Sequence, residues 1–345
     1  MKMNSIMICL AIAFVFASFI SRAQTTDTSN VEQYVVSAFK KMNLSGYTEL
    51  RYQQFQAPAK IDGFDIHRAR LQLKGVISDH VNYYLQTDVM PGNALLLDAT
   101  MAYSVCNGLK FTGGQMKLPF SQENLLDDSK LFTINRSQVV EALVARTKDV
   151  LGNQNGRDIG MIASGSLIKI SEHNLIDYSV GVFNGQGINQ PDLNSEKDFD
   201  GRLLIHPIKN LDIGGAVYTG YDNFGNLKSN HIRDRVGFDF GYSFKGFDVR
   251  VELIQGQDSL THKQGYYIQG AYYIIDKKLQ IVGKYDNYDP NVNPKKTNDQ
   301  TTVITGALNY FITSNLWIKL DYENHKVQNN IGKNDLYIAE LLIAF

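Results

Sequence analysis

The chain has 345 residues, with 34 Lys and Arg against 35 Asp and Glu, a formal net charge of −1. So even a balance argues against a nucleic-acid binder, which needs a basic face for the phosphates. Cysteine stands only at positions 9 and 106, and Cys9 falls in an amino-terminal apolar run, so a processed chain has no intramolecular disulfide and no paired-cysteine metal site.

That run extends from Ile6 to Ile20 behind Lys2, and Ser21-Arg22-Ala23 offers a small-x-small cleavage site before Gln24. A basic start, a short apolar stretch and small residues at its end predict a secretory signal peptide over residues 1–23. The run is too short for an uncleaved membrane helix, and no small-residue box precedes Cys9 to mark a lipoprotein. In residues 24–43, Val31, Tyr34, Val35, Ala38, Phe39 and Met42 recur at helical spacing. They predict a short amphipathic periplasmic segment, or alternatively a helix packed inside a pore.

From residue 44 to 345 the chain alternates short and long connections between segments of period-two hydrophobicity. The short ones are Ser78-Asp79-His80, Cys106-Asn107-Gly108, Ser171 to Asn174, Ile208-Lys209-Asn210, Lys245-Gly246, Asp276-Lys277 and Thr313-Ser314. The long ones are Gln56 to Asp65, Pro91 to Ala94, Pro119 to Arg157, Asn184 to Asp200, Tyr221 to Arg235, Gly256 to Gln264, Asn287 to Gln300 and His325 to Lys333. Unequal surfaces of this kind belong to a transmembrane antiparallel β-barrel, all-β, here of about sixteen strands. Removing 23 residues leaves about 322, roughly twenty per strand and connection, which suits segments of roughly ten residues.

The faces agree. Ala69, Leu71 and Leu73 oppose Arg68, Arg70, Gln72 and Lys74; Phe247, Val249, Val251 and Leu253 oppose Asp248, Arg250 and Glu252; Leu316, Ile318, Leu320 and Tyr322 oppose Trp317, Lys319, Asp321 and Glu323. Period two with charge on one face fits a strand between lipid and water, although a β-sandwich with one wet face would alternate likewise. Tyr and Phe number 37 against one Trp, as aromatic membrane girdles require. The long connection from Pro119 to Arg157 has Ser137 as an N-cap ahead of Val139, Val140, Leu143 and Val144, one apolar helical face. That face is expected on the barrel wall, with Arg136, Arg146 and Lys148 toward the opening; an external cap is the alternative. At the end, Tyr337, Ala339, Leu341, Ile343 and Phe345 alternate up to a terminal aromatic. This resembles the assembly signal of Gram-negative outer-membrane barrels, since so apolar a terminal strand invites aggregation unless it pairs with the first.

Five blocks then resemble the phosphate-selective porin O and P family: Phe64 to Gly75 (FDIHRARLQLKG), Gly114 to Glu123 (GQMKLPFSQE), Asn135-Arg136-Ser137, Gly181 to Gly187 (GVFNGQG) and Asp198 to Arg202 (DFDGR). They occur in that family's order across nearly the whole processed chain. The resemblance implies an outer-membrane barrel of sixteen strands, a homotrimer, whose third external loop folds into the lumen and whose Arg and Lys side chains guide anions. The candidates are Arg51, Arg68, Arg70 and Lys74 on the first two strands, Lys117, Lys130, Arg136, Arg146 and Lys148 in and before the third loop, and Arg202. Their partners would be small hydrophilic solutes or anions, outer-membrane lipid and the barrel-assembly machinery.

The charge pattern tempers this. Glu49, Asp88 and Asp98 share the lumen face with the first cations, and Glu123, Asp127, Asp128, Glu141 and Asp149 offset those of the loop. A balanced lumen sets up a transverse field, not an anion funnel, so a general or sugar-type pore stays open, with Trp317 and Tyr84 as stacking rings. A plugged structural or binding barrel stays open too. No enzyme, cofactor or metal is expected. The His residues at 67, 80, 173, 206, 231, 262 and 325 lack metal spacing and Cys partners, and Gly185-Gln186-Gly187 lacks the helix and Lys of a phosphate-cradling loop.

Overall fold

A computed structural model gives the structure of the protein and describes residues 42–57, 60–90, 94–170, 172–222, 231–293, 299–328 and 334–345. The expected signal peptide and nearly all of the segment 24–43 lie outside the described residues.

Sixteen strands follow one another: β1 (Met42–Phe55), β2 (Gly63–Ser78), β3 (Val81–Asp88), β4 (Leu95–Cys106), β5 (Leu109–Lys117), β6 (Arg157–Ile170), β7 (His173–Phe183), β8 (Asp198–Ile205), β9 (Leu211–Asp222), β10 (His231–Phe244), β11 (Phe247–Asp258), β12 (Thr261–Ile275), β13 (Leu279–Asp289), β14 (Thr301–Thr313), β15 (Leu316–Val327) and β16 (Leu336–Ala344). Each pairs antiparallel with its neighbours in sequence, and β1 pairs with β16 to close the barrel. Closure leaves no sheet edge with unmet N–H and C=O groups. The seam runs from Tyr47 opposite Ala344 to Phe55 opposite Leu336, and Gly46 and Phe345 exchange two main-chain hydrogen bonds of 3.0 Å. No described helix is long and apolar enough to cross a membrane; the crossing elements are strands.

The barrel is inverted relative to a soluble domain. Along β2, Arg70 and Gln72 are buried inside while Leu71 is exposed outside; along β15, Lys319, Asp321 and Glu323 are buried while Leu320 and Tyr322 are exposed. Outward aromatics gather at two heights. Tyr103, Phe111, Phe244, Phe247, Tyr272, Tyr310 and Phe345 lie toward the short-turn end, and Phe64, Tyr221, Tyr266, Tyr285, Tyr322 and Tyr337 toward the other. Two such girdles with an aliphatic band between them match the two interfaces of a bilayer.

The short connections fall where the sequence predicts them. The long connections are shorter than expected chiefly in two places: the expected loop from Gly256 to Gln264 is only Ser259-Leu260, because β11 and β12 stay paired out to Asp258 opposite Thr261, and of the expected loop from Tyr221 to Arg235 the ends, residues 221–222 and 231–235, are paired strand. On the inner face of the first, Asp258 holds Arg235 at 2.6 Å and Lys263 at 2.7 Å, while Gln257 and His262 pair on the outer face.

Residues 118–156 fold into the barrel. They carry α1 (Gln122–Leu125), a 3-10 turn (Asp128–Lys130) and α2 (Gln138–Leu143). Val139, Val140, Leu143 and Val144 are fully buried in one cluster with Phe120 of the same loop and with Ala216, Tyr218, Ile254 and Tyr267 of the inner wall. Ser137 is the N-cap residue, but its hydroxyl does not cap the helix; it donates to Glu123 Oε2 at 2.7 Å.

Candidate functional site

A loop inside a barrel must satisfy its main chain without bulk water. The inner wall supplies the partners. Carboxylates of β11, β13 and β15 accept loop N–H groups: Glu252 from Gln122 (3.1 Å) and Glu123 (3.3 Å), Asp286 from Gln138 (2.7 Å), and Asp321 from Ile134 (2.7 Å). Cations of the same wall donate to loop carbonyls: Lys284 to Asn135 (2.9 Å), Lys319 to Leu131 (2.9 Å), Arg235 to Leu143 (3.1 Å) and Arg202 to Phe120 (3.1 Å). Alternation alone shows that these residues face inward, but not that they meet loop residues 82 to 188 positions away. The available signal is the mixed charge of β11, β13 and β15 read together with the length of the third loop.

On the opposite wall the loop is clamped through Asp128, buried among guanidinium groups. Arg136 holds its Oδ1 at 2.6 and 3.1 Å, Arg68 approaches to 3.3 Å and Arg146 to 3.9 Å, and Arg70 also donates to it. Burial alone would push the Asp128 carboxyl up; the four guanidinium charges outweigh it and hold it well below the usual carboxylate range. Burial and the neighbouring Arg136 push Arg146 down to about 10, against the pull of Glu141 and Asp128. Asp149, also buried, is held low by Arg233 and Arg235. Glu49 pairs with Arg68 at 2.6 Å and Asp88 with Arg70 at 3.4 Å, whereas Asp98 pairs with Arg157 at 2.8 Å.

Between the clamp and the β13–β15 wall a cleft of about 310 Å³ remains, lined by Arg51, His67, Arg68, Arg136, Lys148 and Lys284 and by Glu141, Asp286 and Glu323 among others. Beneath the loop, toward the short turns, lies a space of about 520 Å³ bordered by Lys74, Tyr84, Asp98, Lys110, Lys117 and Asp127.

The family model for phosphate-selective porin O and P matches residues 42–223, more than half of the chain. The chain belongs to this family. It is an outer-membrane porin, its short turns periplasmic and its long loops external. No curated protein matches the sequence. Solved structures of similar fold include OmpT of Vibrio cholerae in its in-vitro folded trimer form (9% identity, TM-score 0.67, covering 88% of this chain and 99% of that one). Salmonella typhi OmpF in complex with daunomycin (10%, 0.68, 88% and 97%) and the anion-selective porin of Comamonas acidovorans (13%, 0.66, 88% and 99%) are similar too. At such identities the likeness is one of fold.

Within this porin the candidate cations are distributed unevenly. Arg51, Arg68, Arg136 and Lys148 share the cleft; Lys74 and Lys117 border the periplasmic space, with Lys74 Nζ 5.1 Å from the Tyr84 ring centroid and Lys117 donating to the Leu126 carbonyl at 2.7 Å. Arg70 and Arg146 are buried in the clamp, Arg202 is bound to Asp239 through two contacts of 2.6 and 2.8 Å, and Lys130 is exposed on the loop. Tyr84 borders open space, whereas the Trp317 ring packs against Phe311 with centroids 5.9 Å apart and planes tilted by 49°. Glu49, His67 and Glu340 bring three metal-capable atoms together, but Arg68 Nη1 stands 2.6 Å from Glu49 Oε2 and 3.0 Å from His67 Nδ1, in the place a cation would take.

Proposed function

We infer that the chain is a passive channel for small hydrophilic solutes, narrowed by its third loop and only slightly biased toward anions. The carrying observation is the cleft beside that loop: five cationic side chains, Arg51, Arg68, Arg136, Lys148 and Lys284, face three carboxylates, Glu141, Asp286 and Glu323. Much of the remaining positive charge is engaged, Arg70, Arg157 and Arg202 by carboxylates and Lys319 by a loop carbonyl. This favours weak selectivity over a phosphate-specific pore. The trimer form of Vibrio OmpT supports a homotrimer here, and membrane lipid and the barrel-assembly machinery are the other partners we propose. With a conducting lumen as its working part, the protein needs no catalytic step.

Planar bilayers test this reading. Purified protein should give ohmic current steps, with a reversal potential in a salt gradient displaced slightly to the anion side. A protein that inserts and never conducts is a plugged scaffold.

A further inference from the structure

Four guanidinium groups converge on the single carboxylate of Asp128, which is 3% exposed. Three of them have a second anionic partner: Arg68 has Glu49 at 2.6 Å, Arg70 has Asp88 at 3.4 Å and Arg146 has Glu141 at 3.2 Å. Among the described residues Arg136 has no second carboxylate; its other acceptors are the main-chain carbonyls of Glu123 and of Leu126, the latter at 2.9 Å. Four cations thus meet four carboxylates, and the balance rests on Asp128. A guanidinium fork that takes a carboxylate through two N–H groups takes a phosphate or sulfate by the same geometry. Arg68 and Arg136 also line the 310 Å³ cleft, so the cluster borders the solute path.

We propose that Asp128 is a built-in surrogate anion: it fills, from within the chain, the oxyanion position that Arg68, Arg70 and Arg136 would otherwise present to the lumen. Anions then pass the clamp without being held, since conduction needs binding weak enough to release. The residue that sets selectivity is accordingly an acid of the third loop, and the arginines of an oxyanion site are already in place. The proposal rests on the diffusion-channel reading above.

Single-channel recording in KCl with inorganic phosphate added to one side tests it. In D128N, which keeps the shape and removes the charge, the reversal potential should move toward anions. In D128G, which also vacates the oxyanion position, phosphate should reduce the chloride current at a concentration about tenfold or more below that needed for the wild type. Each change should revert when R136Q is added, because Arg136 is the guanidinium left without a carboxylate. A conducting D128N with the wild-type reversal potential, or a conducting D128G with the wild-type phosphate response, overturns the proposal. Should D128N fail to assemble, R136Q decides: it leaves the Asp128 charge in excess and should move the reversal potential toward cations, and no movement overturns the proposal. A wild type that inserts without conducting would instead remove the channel reading, and the proposal with it.

Discussion

Asp128 illustrates what residue-level sequence reading reaches and where it stops. That Arg68 and Arg70 face the lumen follows from their i, i+2 spacing on a strand, but their partner in a loop 58 residues beyond Arg70 carries no local signal. The partnership has a pH signature. A carboxyl whose folded value lies below its unfolded value, about 3.9, contributes stability that is fully present above the unfolded value and is lost as pH falls toward the folded one. Asp128 has that sign, so the wild-type thermal midpoint should fall as pH is lowered from about 5 toward 2, and D128N should fall less steeply. Glu141 and Asp149 shift in the same direction despite burial, so D128N retains part of the slope. Parallel melting curves of the two proteins across that range would show that Asp128 is not the controlling group. Removing one partner of a buried ion pair costs about 3–5 kcal/mol, so D128N should also melt lower at neutral pH.

At the scale of elements, the third loop was legible as an inward segment because its apolar face, Val139, Val140, Leu143 and Val144, demands a wall to cover it. The connection from Gly256 to Gln264 is shorter than its polarity suggests for two reasons: Asp258 and Lys263 face the lumen in an ion-paired wall, while Gln255, Gln257 and His262 alternate onto the outer face beyond the height of the Tyr266 ring. Polarity marks a loop neither on the lumen face of a strand nor on its outer face beyond the aromatic girdle. Deleting the stretch between Leu126 and Lys148 should raise single-channel conductance, and unchanged conductance would mean that the loop does not narrow the path. A subtler probe is Gly265 on β12, where a Cβ would stand 2.8 Å from the Val139 Cβ and 2.6 Å from the Asn287 carbonyl oxygen. G265V should overpack this contact, costing about 1–3 kcal/mol, and loosen α2 from the wall. Faster proteolysis of the loop with the barrel still heat-modifiable would bear this out, and wild-type protease resistance would contradict it.

For the whole molecule, barrel closure is the feature the sequence declared most openly, through the alternating terminal strand ending on Phe345. Its ring approaches Gly46, and its main chain completes the seam with β1. Deleting Phe345 should therefore lower the yield of heat-modifiable barrel without altering passage across the inner membrane; full assembly of the truncated chain would contradict the role given to the seam. What stayed hidden at this scale is how inner-wall charge divides between loop docking and solute contact, because that depends on pairings between distant segments. The reversal potential of single channels in a tenfold KCl gradient measures that division directly. The account predicts ohmic steps with a small displacement toward the chloride equilibrium potential; a displacement close to full anion selectivity, or the absence of any conducting step, would contradict it.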